Sequence, residues 1–328
     1  YHLSKKLLEE GFEVMGIDNL NAYYDIELKY QRLFQLGIES KQNPTHSVST
    51  KYSKFTFRKA EIIDYVELEG LVEEFKPNNI IHLAAQAGVR YSIENPQEYI
   101  SANVQGYFNV LEVARKYKVE HLIYASSSSI YGNASEVPFL VDAKTDSPIS
   151  LYAATKKSNE LMAHAYAHLH KLSITGLRFF TVYGPYGRPD MAYFKFTKAI
   201  AEDKTIQIYN HGDQSRDFTY IDDIIDGLYR IIEKGFVKKN EVRHNVYNLG
   251  RGKPESLMTF VESIETALGK EAKKEFVANQ PGDVSRTWAD VSELAEDYGY
   301  APKINLKEGV QKFVEWFKNS DNQKYQVK

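Results

Sequence analysis

Short apolar runs alternate with longer amphipathic segments along the first half of the chain. The apolar runs predict strands at residues 11–18, 79–85, 120–125 and 173–180. The amphipathic segments predict helices at residues 65–75, 96–117 and 151–170, and a helical pattern also begins the chain. Alternating strands and helices with short connections form parallel sheets with right-handed crossovers. Because the strands are almost continuously apolar, helices should cover both faces. The sequence therefore predicts a doubly wound α/β fold with a parallel sheet.

This alternation becomes less regular after about residue 181. Residues 184–189 are rich in glycine and proline and predict a turn, and shorter mixed elements follow them. We expect one α/β domain over residues 1–180. A smaller mixed α/β lobe should follow over residues 181–328, with some of its segments returning to the first domain. Residues 41–54 are polar and lack periodicity, which predicts a surface loop.

The beginning of the chain lacks one expected feature. A doubly wound nucleotide-binding domain opens with a strand and a glycine-rich turn that leads into its first helix. Here residues 2–10 already have the pattern of that helix, with Leu3, Leu7 and Leu8 on one face. We therefore expect the first strand and the glycine turn to lie before Tyr1, outside this sequence.

Composition and charge exclude several classes of protein. The 328 residues contain 41 Lys+Arg and 44 Asp+Glu, so a net charge of −3 argues against nucleic acid or a membrane surface as partner. No apolar run reaches the roughly 18–20 residues of a membrane span, and the first ten residues do not resemble a signal peptide. The absence of cysteine excludes disulfides, thiolate metal sites and cysteine nucleophiles. We expect a soluble, cytoplasmic protein.

Histidine spacing gives no support for a metal site. His164, His168 and His170 lie in one predicted helix, but no third ligand or acidic residue accompanies them. A solvated or packed helix face explains them, and we expect no bound metal.

A tyrosine and a lysine lie one turn apart in the predicted helix 151–170. Tyr152 and Lys156 are four residues apart and therefore share one helix face. A nearby cation lowers the pKa of a phenol from its usual value of about 10, so the phenol becomes a usable base near neutral pH. Since the chain has 24 tyrosines, the spacing alone also fits an ordinary surface pair.

The neighbouring sequence favours the functional interpretation. Residues 126–129 are four serines that directly follow a predicted parallel strand. Ligands bind at the carboxyl ends of such strands, where a hydroxyl can share a proton with the phenol. The alternative is that these serines form an ordinary solvated loop. Their position ahead of the helix that carries Tyr152 and Lys156 favours the functional interpretation.

An acid ends the strand predicted at residues 11–18. Asp18 can accept a hydrogen bond from a ribose 2′-hydroxyl and would repel a 2′-phosphate. Since residues 19–21 contain no arginine, NAD is favoured over NADP. A cap for a helix or a turn is the alternative role of this carboxylate.

Together these residues resemble the extended short-chain dehydrogenase/reductase superfamily, and within it the nucleotide-sugar 4-epimerases. The resemblance covers nearly the whole chain and rests on residues 81–92 (IHLAAQAGVRYS), 151–160 (LYAATKKSNE), 178–185 (RFFTVYGP) and 187–192 (GRPDMA). These segments are most similar to UDP-glucuronate 4-epimerases of the bacterial capsule-synthesis type. The resemblance implies an NAD-binding Rossmann domain over residues 1–180 and a UDP-sugar-binding lobe over residues 181–328.

The resemblance also implies a mechanism. Tyr152 would act as general base and acid, and Lys156 would hold the nicotinamide ribose and lower the pKa of the phenol. Ser127 would supply the catalytic hydroxyl and Ser128 would assist it. Hydride would pass from carbon 4 of the sugar to NAD⁺ and return to the opposite face of the 4-keto sugar, so that NAD is a retained cofactor. Burial would keep the keto intermediate from escaping.

The same resemblance assigns the binding residues. The cofactor contacts would be Asp18 and Asn19 at the ribose, Glu61 and Ile62 near adenine, Ala84, Ala85, Gln86 and Asn103 along the dinucleotide, and Phe179 near nicotinamide. The family has aspartate at the position of Glu61. The UDP-sugar contacts would be Thr181, Arg188, Arg216 and Asp283, where Gln280 replaces an arginine that the family often has. A planar guanidinium matches phosphate geometry, which suits Arg216 to the diphosphate.

A glucuronate carboxylate needs charge-assisted or multiple hydrogen bonds. The candidates are Arg188, Arg90 and the hydroxyls of Ser127, Ser128 and Thr181, and we favour the hydroxyl cluster with Arg188 nearby. Because 4-keto uronic acids decarboxylate easily, the pocket should hold the carboxylate away from the geometry for that reaction. Without the resemblance, Arg188 and Arg216 could equally form surface salt bridges.

Several alternatives remain open. Related dehydratases and decarboxylases have an acid where this chain has Ser129, and a serine cannot supply the base for elimination of water. Epimerisation is therefore favoured, but UDP-N-acetylglucosaminuronate and UDP-glucose remain possible substrates. A non-catalytic NAD-binding sensor on the same fold is a further alternative.

The helices at residues 96–117 and 151–170 have apolar stripes wider than one sheet face requires. In the family that the chain resembles, these two helices pair across a dimer axis as a four-helix bundle. The resemblance therefore implies a homodimer, although packing within one chain would also explain the stripes.

Overall fold

The protein is described by a computed structural model over residues 1–39, 46–134, 136–278 and 284–325. The strands are β1 (Val14–Asp18), β2 (His46–Val48), β3 (Phe55–Lys59), β4 (Asn79–His82), β5 (His121–Ser127), β6 (Ile174–Phe179), β7 (Thr181–Tyr183), β8 (Thr205–Ile208), β9 (Ser215–Arg216), β10 (Phe218–Tyr220), β11 (His244–Leu249), β12 (Glu255–Ser256) and β13 (Lys273–Phe276). The helices are α1 (His2–Glu9), α2 (Ile26–Gln35), α3 (Tyr65–Phe75), α4 (Tyr91–Glu94), α5 (Pro96–Tyr99), α6 (Tyr107–Lys116), α7 (Leu151–His170), α8 (Ala192–Ala201), α9 (Ile221–Lys234), α10 (Leu257–Leu268), α11 (Ser292–Tyr298), α12 (Leu306–Lys318) and α13 (Ser320–Gln323). A π-helix spans Ile100–Gly106, and 3₁₀ turns span Ser128–Tyr131 and Tyr209–Gly212.

Two sheets form the centre of the molecule. One sheet has the order β11-β6-β5-β4 with all strands parallel, and the other has the order β1-β3-β2. In the second sheet β1 and β3 are parallel, while β2 is antiparallel to β3. Although β11 comes late in the chain, it pairs with β6. The carboxyl ends of β5 and β6 lie side by side, with Ser127 opposite Phe179.

Apolar side chains cover both faces of the four-stranded sheet, as its apolar strands require. On one face the sheet packs against α3, α6 and α7 around Leu111, Tyr124 and Ala163. On the other face it packs against α1, α9 and α11 around Leu177 and Leu228. A third core, rich in aromatic rings, joins α8, α10 and α12 in the second half of the chain.

Side-chain caps determine where the site-bearing helices begin. The Ser150 side chain accepts a hydrogen bond from the Ala153 amide (3.1 Å) and thereby caps α7. The Asp64 carboxylate accepts one from the Glu67 amide (3.0 Å) at the start of α3. Such caps satisfy amide groups that have no partner inside the helix. They place the first turn of α7 directly beside the end of β5.

The doubly wound α/β fold is confirmed, and helices 65–75 and 151–170 have the predicted bounds. The predicted helix 96–117 is instead divided into α5, the π-helix and α6. The loop predicted at residues 41–54 is wrong over β2, which is short, half-exposed and paired on one side only, so it has no apolar pattern. Residues 41–45 lie outside the described residues. In the described ranges, no helix combines the length and apolarity that crossing a bilayer needs.

Candidate active site

A cleft of about 500 Å³ lies at the carboxyl ends of β5 and β6. Among the residues that line it are Ser127, Ser128, Tyr152, Phe179, Thr181 and Arg188, all of which the sequence analysis had selected. They come from β5, the 3₁₀ turn after it, α7, the end of β6, β7 and the loop after β7. The crossover topology brings them together, because parallel strands end at one edge of a sheet.

The phenol of Tyr152 is the central titratable group of this cleft. Burial raises its pKa above the usual value of 10, while a hydrogen bond with Ser127 and the positive charge of Arg188 act in the opposite direction. The family resemblance implies that Lys156 lowers this pKa. In the structure the cation that lowers it is Arg188, which reaches the cleft from the loop after β7.

Lys156 lies one turn further along α7 than Tyr152. It is 2% exposed, and its ammonium donates a hydrogen bond to the carbonyl oxygen of Ala125 (2.8 Å). Burial lowers the pKa of this lysine to about 8. The bond to β5 holds the ammonium at the end of the strand, so that α7 and β5 have a fixed relative position there.

The π-helix joins α7 to the loop after β4. Asn103 is 1% exposed, and its side chain pairs with the backbone of Gln86, accepting from the amide (2.8 Å) and donating to the carbonyl (3.0 Å). The Asn103 backbone carbonyl accepts a hydrogen bond from the side chain of Asn159 (2.7 Å). Asn103 therefore orients the Gln86 loop and α7 together.

A buried ion pair joins β6 to α7, the two elements that carry Phe179 and Tyr152 into the cleft. Arg178 on β6 and Glu160 on α7 form two hydrogen bonds of 2.9 and 3.0 Å, and each residue is 4% exposed. Glu160 also accepts from the hydroxyl of Ser126 (2.7 Å). Burial alone would raise the pKa of Glu160, but Arg178 lowers it on balance, so the carboxylate stays ionised.

The Arg188 side chain contacts residues from two loops, Asp190 and Tyr23. Its guanidinium lies 3.3 Å from the carboxylate of Asp190 and 5.9 Å from the centre of the Tyr23 ring. The Tyr23 hydroxyl donates to the same carboxylate (3.4 Å). Asp190 thereby keeps the guanidinium beside the cleft and raises its pKa, although burial acts against this.

The residues predicted at the cofactor ribose and adenine lie at the ends of β1 and β3. Asp18 accepts hydrogen bonds from the Leu20 amide (2.6 Å) and from the ammonium of Lys29 (3.1 Å), and Asn19 donates to Glu61 (3.2 Å). Ile62 follows Glu61 and packs on the π-helix at Gly106. Leu83 and Ala84 are exposed just after β4, with Ala85 beside them. Polar and apolar side chains therefore follow one another at the carboxyl ends of β1, β3 and β4.

Two predicted substrate residues, Arg90 and Arg216, are not among the residues that line this cleft. The Arg90 guanidinium stands 4.9 Å from the centre of the Tyr209 ring. Arg216 on β9 donates to the carbonyls of Ser215 (3.0 Å) and Ser285 (3.1 Å). Asp283, together with Gln280, lies outside the described residues. Over the described ranges, no group of three or more His, Asp or Glu side chains could hold a metal.

The sequence analysis did not select several residues that organise the site. Asn159 carried a usable signal, because it follows Tyr152 by seven residues and Lys156 by three, on the same helix face. Lys29 is 7% exposed although it is a lysine, because it pairs with Asp18 across the end of β1. Glu160 and Arg178 lie 18 positions apart, so no local pattern predicts their pairing.

A doubly wound sheet with a tyrosine, a lysine and a serine at its carboxyl edge is the arrangement of short-chain dehydrogenase/reductase enzymes. Comparison with protein families identifies one family within this class. Residues 1–250 match the family described as NAD dependent epimerase/dehydratase family. The chain belongs to this family.

Similar proteins extend over nearly the whole chain. A UDP-glucuronate 4-epimerase of Thermodesulfobacterium geofontis is 41% identical over 321 residues, covering 98% of this chain and 93% of the relative. Protein CapI of Staphylococcus aureus is 48% identical over 328 residues, covering 96% and 94% of the two chains. The crystal structure of UDP-glucuronic acid 4-epimerase from Bacillus cereus, in complex with UDP-glucuronic acid and NAD, has a TM-score of 0.85. It is 33% identical and covers 97% of this chain and 95% of the other.

Proposed function

We propose that this protein is an NAD-dependent UDP-glucuronate 4-epimerase that interconverts UDP-glucuronate and UDP-galacturonate. The observation that carries the proposal is the phenol of Tyr152, which lines the cleft, is hydrogen-bonded to Ser127 and belongs to a residue one helical turn from the buried Lys156. Relatives named UDP-glucuronate 4-epimerase support the choice of substrate, as does the Bacillus cereus neighbour, which holds UDP-glucuronic acid and NAD.

The residues at the carboxyl edge fit NAD. Leu83 is 43% exposed, and Ile63 after β3 is 44% exposed, so apolar side chains face outward where a planar base could cover them. The Asp18 carboxylate ends β1 beside Asn19, which suits ribose hydroxyls. We assign ribose to Asp18 and Asn19, adenine to Glu61 and Ile62, and the central dinucleotide to the loop of Ala84, Ala85 and Gln86 that Asn103 orients. Bound NAD⁺ supplies a reversible hydride acceptor, and Phe179 would lie near its nicotinamide.

The chain's own residues control the proton. Tyr152 as phenolate removes the proton from the 4-hydroxyl of the sugar and later returns it to the 4-keto oxygen. Ser127 donates to the phenolic oxygen and so favours the phenolate, and Ser128 stands beside it in the cleft. Lys156 keeps a positive charge at the end of β5 and is available to the nicotinamide ribose. Exclusion of water by the bound substrate and cofactor would protect the ketone until it is reduced.

The sugar carboxylate has two kinds of partner in the cleft. The hydroxyls of Ser127, Ser128 and Thr181 line it, and the Arg188 guanidinium lies at its side. Asp190 already pairs with Arg188, so that the guanidinium is held in place before substrate binds. This arrangement suits a carboxylate kept in one orientation by several weak donors, away from the geometry of decarboxylation.

Epimerisation fits this site better than elimination. The position two residues before Tyr131 is Ser129, whose hydroxyl oxygen lies 3.2 Å from that of Ser127. A serine in that place cannot remove a proton from carbon 5 of the sugar. From the family resemblance we also expect Arg216 at the diphosphate and Asp283 at the uridine, with Arg90 as a further candidate partner of the sugar carboxylate.

Nuclear magnetic resonance of the products tests the reaction. Incubation with UDP-glucuronate should yield UDP-galacturonate without carbon dioxide, and UDP-glucose and UDP-N-acetylglucosaminuronate should react more slowly. Release of carbon dioxide with a keto-pentose would identify a decarboxylase instead. Bound NAD without turnover of any of the three sugars would favour a sensor.

Replacement of the proposed base tests its role. Tyr152→Phe should lower kcat about 10²–10⁴-fold, because it removes only the group that transfers the proton. Tyr107→Phe is the matched control, since the Tyr107 hydroxyl is buried without a hydrogen-bond partner in the described residues. Equal turnover by both variants would contradict the assignment.

We further propose a homodimer formed by the α6 and α7 faces of two chains. Leu161 and Leu169 are eight residues apart on one face of α7 and are 62% and 68% exposed, and Phe108 on α6 is 39% exposed. Light scattering should give twice the mass of one chain. Leu161→Glu combined with Leu169→Glu should give monomers, whereas Val48→Glu on β2 should not. A wild-type monomer at micromolar concentration would contradict the proposal.

The cytoplasmic location and the division of the chain at residue 180 stay predictions. Cell fractionation would check the first, and limited proteolysis would check the second.

A further inference from the structure

Tyr99 is a fully buried tyrosine at the end of α5, next to the π-helix. Its side chain is 0% exposed. The hydroxyl lies 2.9 Å from the carbonyl oxygen of Ala87 and 2.5 Å from that of Gly88, and its proton is shared between them. Burial raises the pKa of this phenol, so the hydroxyl stays protonated and remains a donor.

The turn that Tyr99 holds forms part of the wall of the cleft. Ala87, Gly88 and Val89 line it opposite the end of β6. Gly88 has a φ of +105°, and a Cβ at this position would stand 2.7 Å from the hydroxyl oxygen of Tyr23. The turn therefore requires glycine and is confined between two tyrosines. The Ala87 carbonyl also accepts a longer hydrogen bond from the side chain of Gln86 (3.3 Å), so the Tyr99 hydroxyl supplies the shorter contacts to this turn.

The ring of Tyr99 has a separate contact with the proposed base. The rings of Tyr99 and Tyr152 meet edge to face, with centroids 6.1 Å apart and planes at 77°. This geometry is favourable for aromatic pairs and restricts the rotation of both rings. The Tyr152 phenol is thus fixed by an aromatic ring on one side and by the Ser127 hydroxyl on the other.

We propose that Tyr99 is a positioning residue with two separable tasks: its hydroxyl fixes the Ala87–Gly88 turn against the substrate, and its ring fixes the catalytic phenol of Tyr152. The assignment rests on the proposed epimerase function. The hydroxyl and the ring of Tyr99 should therefore affect different kinetic constants. The hydroxyl acts on KM for UDP-glucuronate, and the ring acts on kcat.

Two substitutions separate these tasks. Tyr99→Phe removes the hydroxyl and keeps the ring, so KM should rise about fivefold, as expected for one lost hydrogen bond, with kcat within about twofold of wild type. Tyr99→Leu removes both, so kcat should also fall at least about tenfold. Water would then reach the Tyr152 phenol, and the acid limb of kcat should move to lower pH because burial no longer raises its pKa as much.

Tyr107→Phe is the control, because it removes a buried hydroxyl that has no hydrogen-bond partner in the described residues. It should leave KM, kcat and the pH profile unchanged. The proposal is overturned if Tyr99→Phe keeps the wild-type KM, or if Tyr99→Phe lowers kcat as much as Tyr99→Leu does. If wild-type protein turns over no UDP-sugar, the proposed function has failed instead. Titration calorimetry with UDP-glucuronate then decides the first task, since an unchanged Kd in Tyr99→Phe would also overturn it.

Discussion

The reactivity of Tyr152 is the balance of opposing effects on one hydroxyl. Burial disfavours the phenolate, whereas the Ser127 hydroxyl and the Arg188 charge favour it. In the protein without ligands burial prevails, so the phenol is protonated at neutral pH. A further positive charge that arrives with the cofactor would shift the balance toward the phenolate.

Removal of the Ser127 hydroxyl should make the base harder to ionise. Ser127→Ala removes a hydrogen bond that lowers the pKa of Tyr152, so that pKa rises further above its usual value. The acid limb of kcat/KM should therefore move to higher pH, because a larger fraction of the phenol stays protonated at a given pH. Steady-state rates across pH 5–10 measure this shift.

Ser127→Thr is the control for that measurement, because it keeps a hydroxyl at the same position. It should retain the wild-type limb. If the acid limb of Ser127→Ala coincides with that of wild type, the hydroxyl does not tune the base.

The contact between β6 and α7 depends on a buried ion pair. Arg178 and Glu160 satisfy each other and also bind Tyr131 (2.8 Å) and Ser126 (2.7 Å). Such pairs give little net stability when complete, but removal of one partner leaves an uncompensated charge in a low-dielectric interior. The pair therefore acts mainly to specify how α7, which carries Tyr152 and Lys156, sits on the sheet.

Arg178→Met should destabilise the protein by about 3–5 kcal/mol, because it leaves the Glu160 carboxylate buried without its partner. Urea unfolding followed by circular dichroism gives the free energy. Combining Arg178→Met with Glu160→Leu should cost less than Arg178→Met alone, since no charge then remains buried.

The exposed pair of Arg115 and Glu112 on α6 provides the comparison. Arg115→Met should leave the unfolding midpoint almost unchanged, because solvent screens that pair. A similar loss from Arg115→Met and Arg178→Met would show that burial of the ion pair is not the reason for the effect.

The stability of the whole molecule should depend on three histidines inside the four-stranded sheet. Burial lowers the pKa of His82 to about 3 and the pKa of His121 and His244 to about 4, with nearby Lys156 and Arg243 adding to the effect at the first two. An unfolded histidine has a pKa near 6.5. The unfolded chain therefore binds protons that the folded chain excludes.

Unfolding should consequently become easier as pH falls from about 6.5 to about 4. The histidine contribution is complete above pH 6.5 and is lost at up to about 1.4 kcal/mol per pH unit for each histidine. Urea midpoints at pH 7.5, 5.5 and 4.5 measure this. His244→Gln should flatten the dependence, and replacement of the exposed His168 by Gln should leave it as in wild type. An unfolding midpoint that is constant between pH 7.5 and 5 would contradict the prediction.

The sequence by itself determined the main elements of the fold and the candidate residues that lie within one element. Short apolar runs and a period of 3.6 residues are local features, so they predicted the parallel strands, α3 and α7. Tyr152 and Lys156 were recognised because a separation of four residues on a helix is a fixed geometry. The serines at the end of β5 and Asp18 at the end of β1 followed from the rule that ligands bind at carboxyl edges.

Only the tertiary structure decided how those residues are charged and held. The approach of Arg188 to Tyr152, the pairing of Arg178 with Glu160 and the bond from Tyr99 to the turn at Gly88 all join separate elements. Burial and Coulomb interactions depend on distance through space and on exclusion of water, and neither follows from spacing along the chain. For the same reason the sequence could propose Tyr152 as the base, whereas the fold decided which cation lowers the pKa of its phenol.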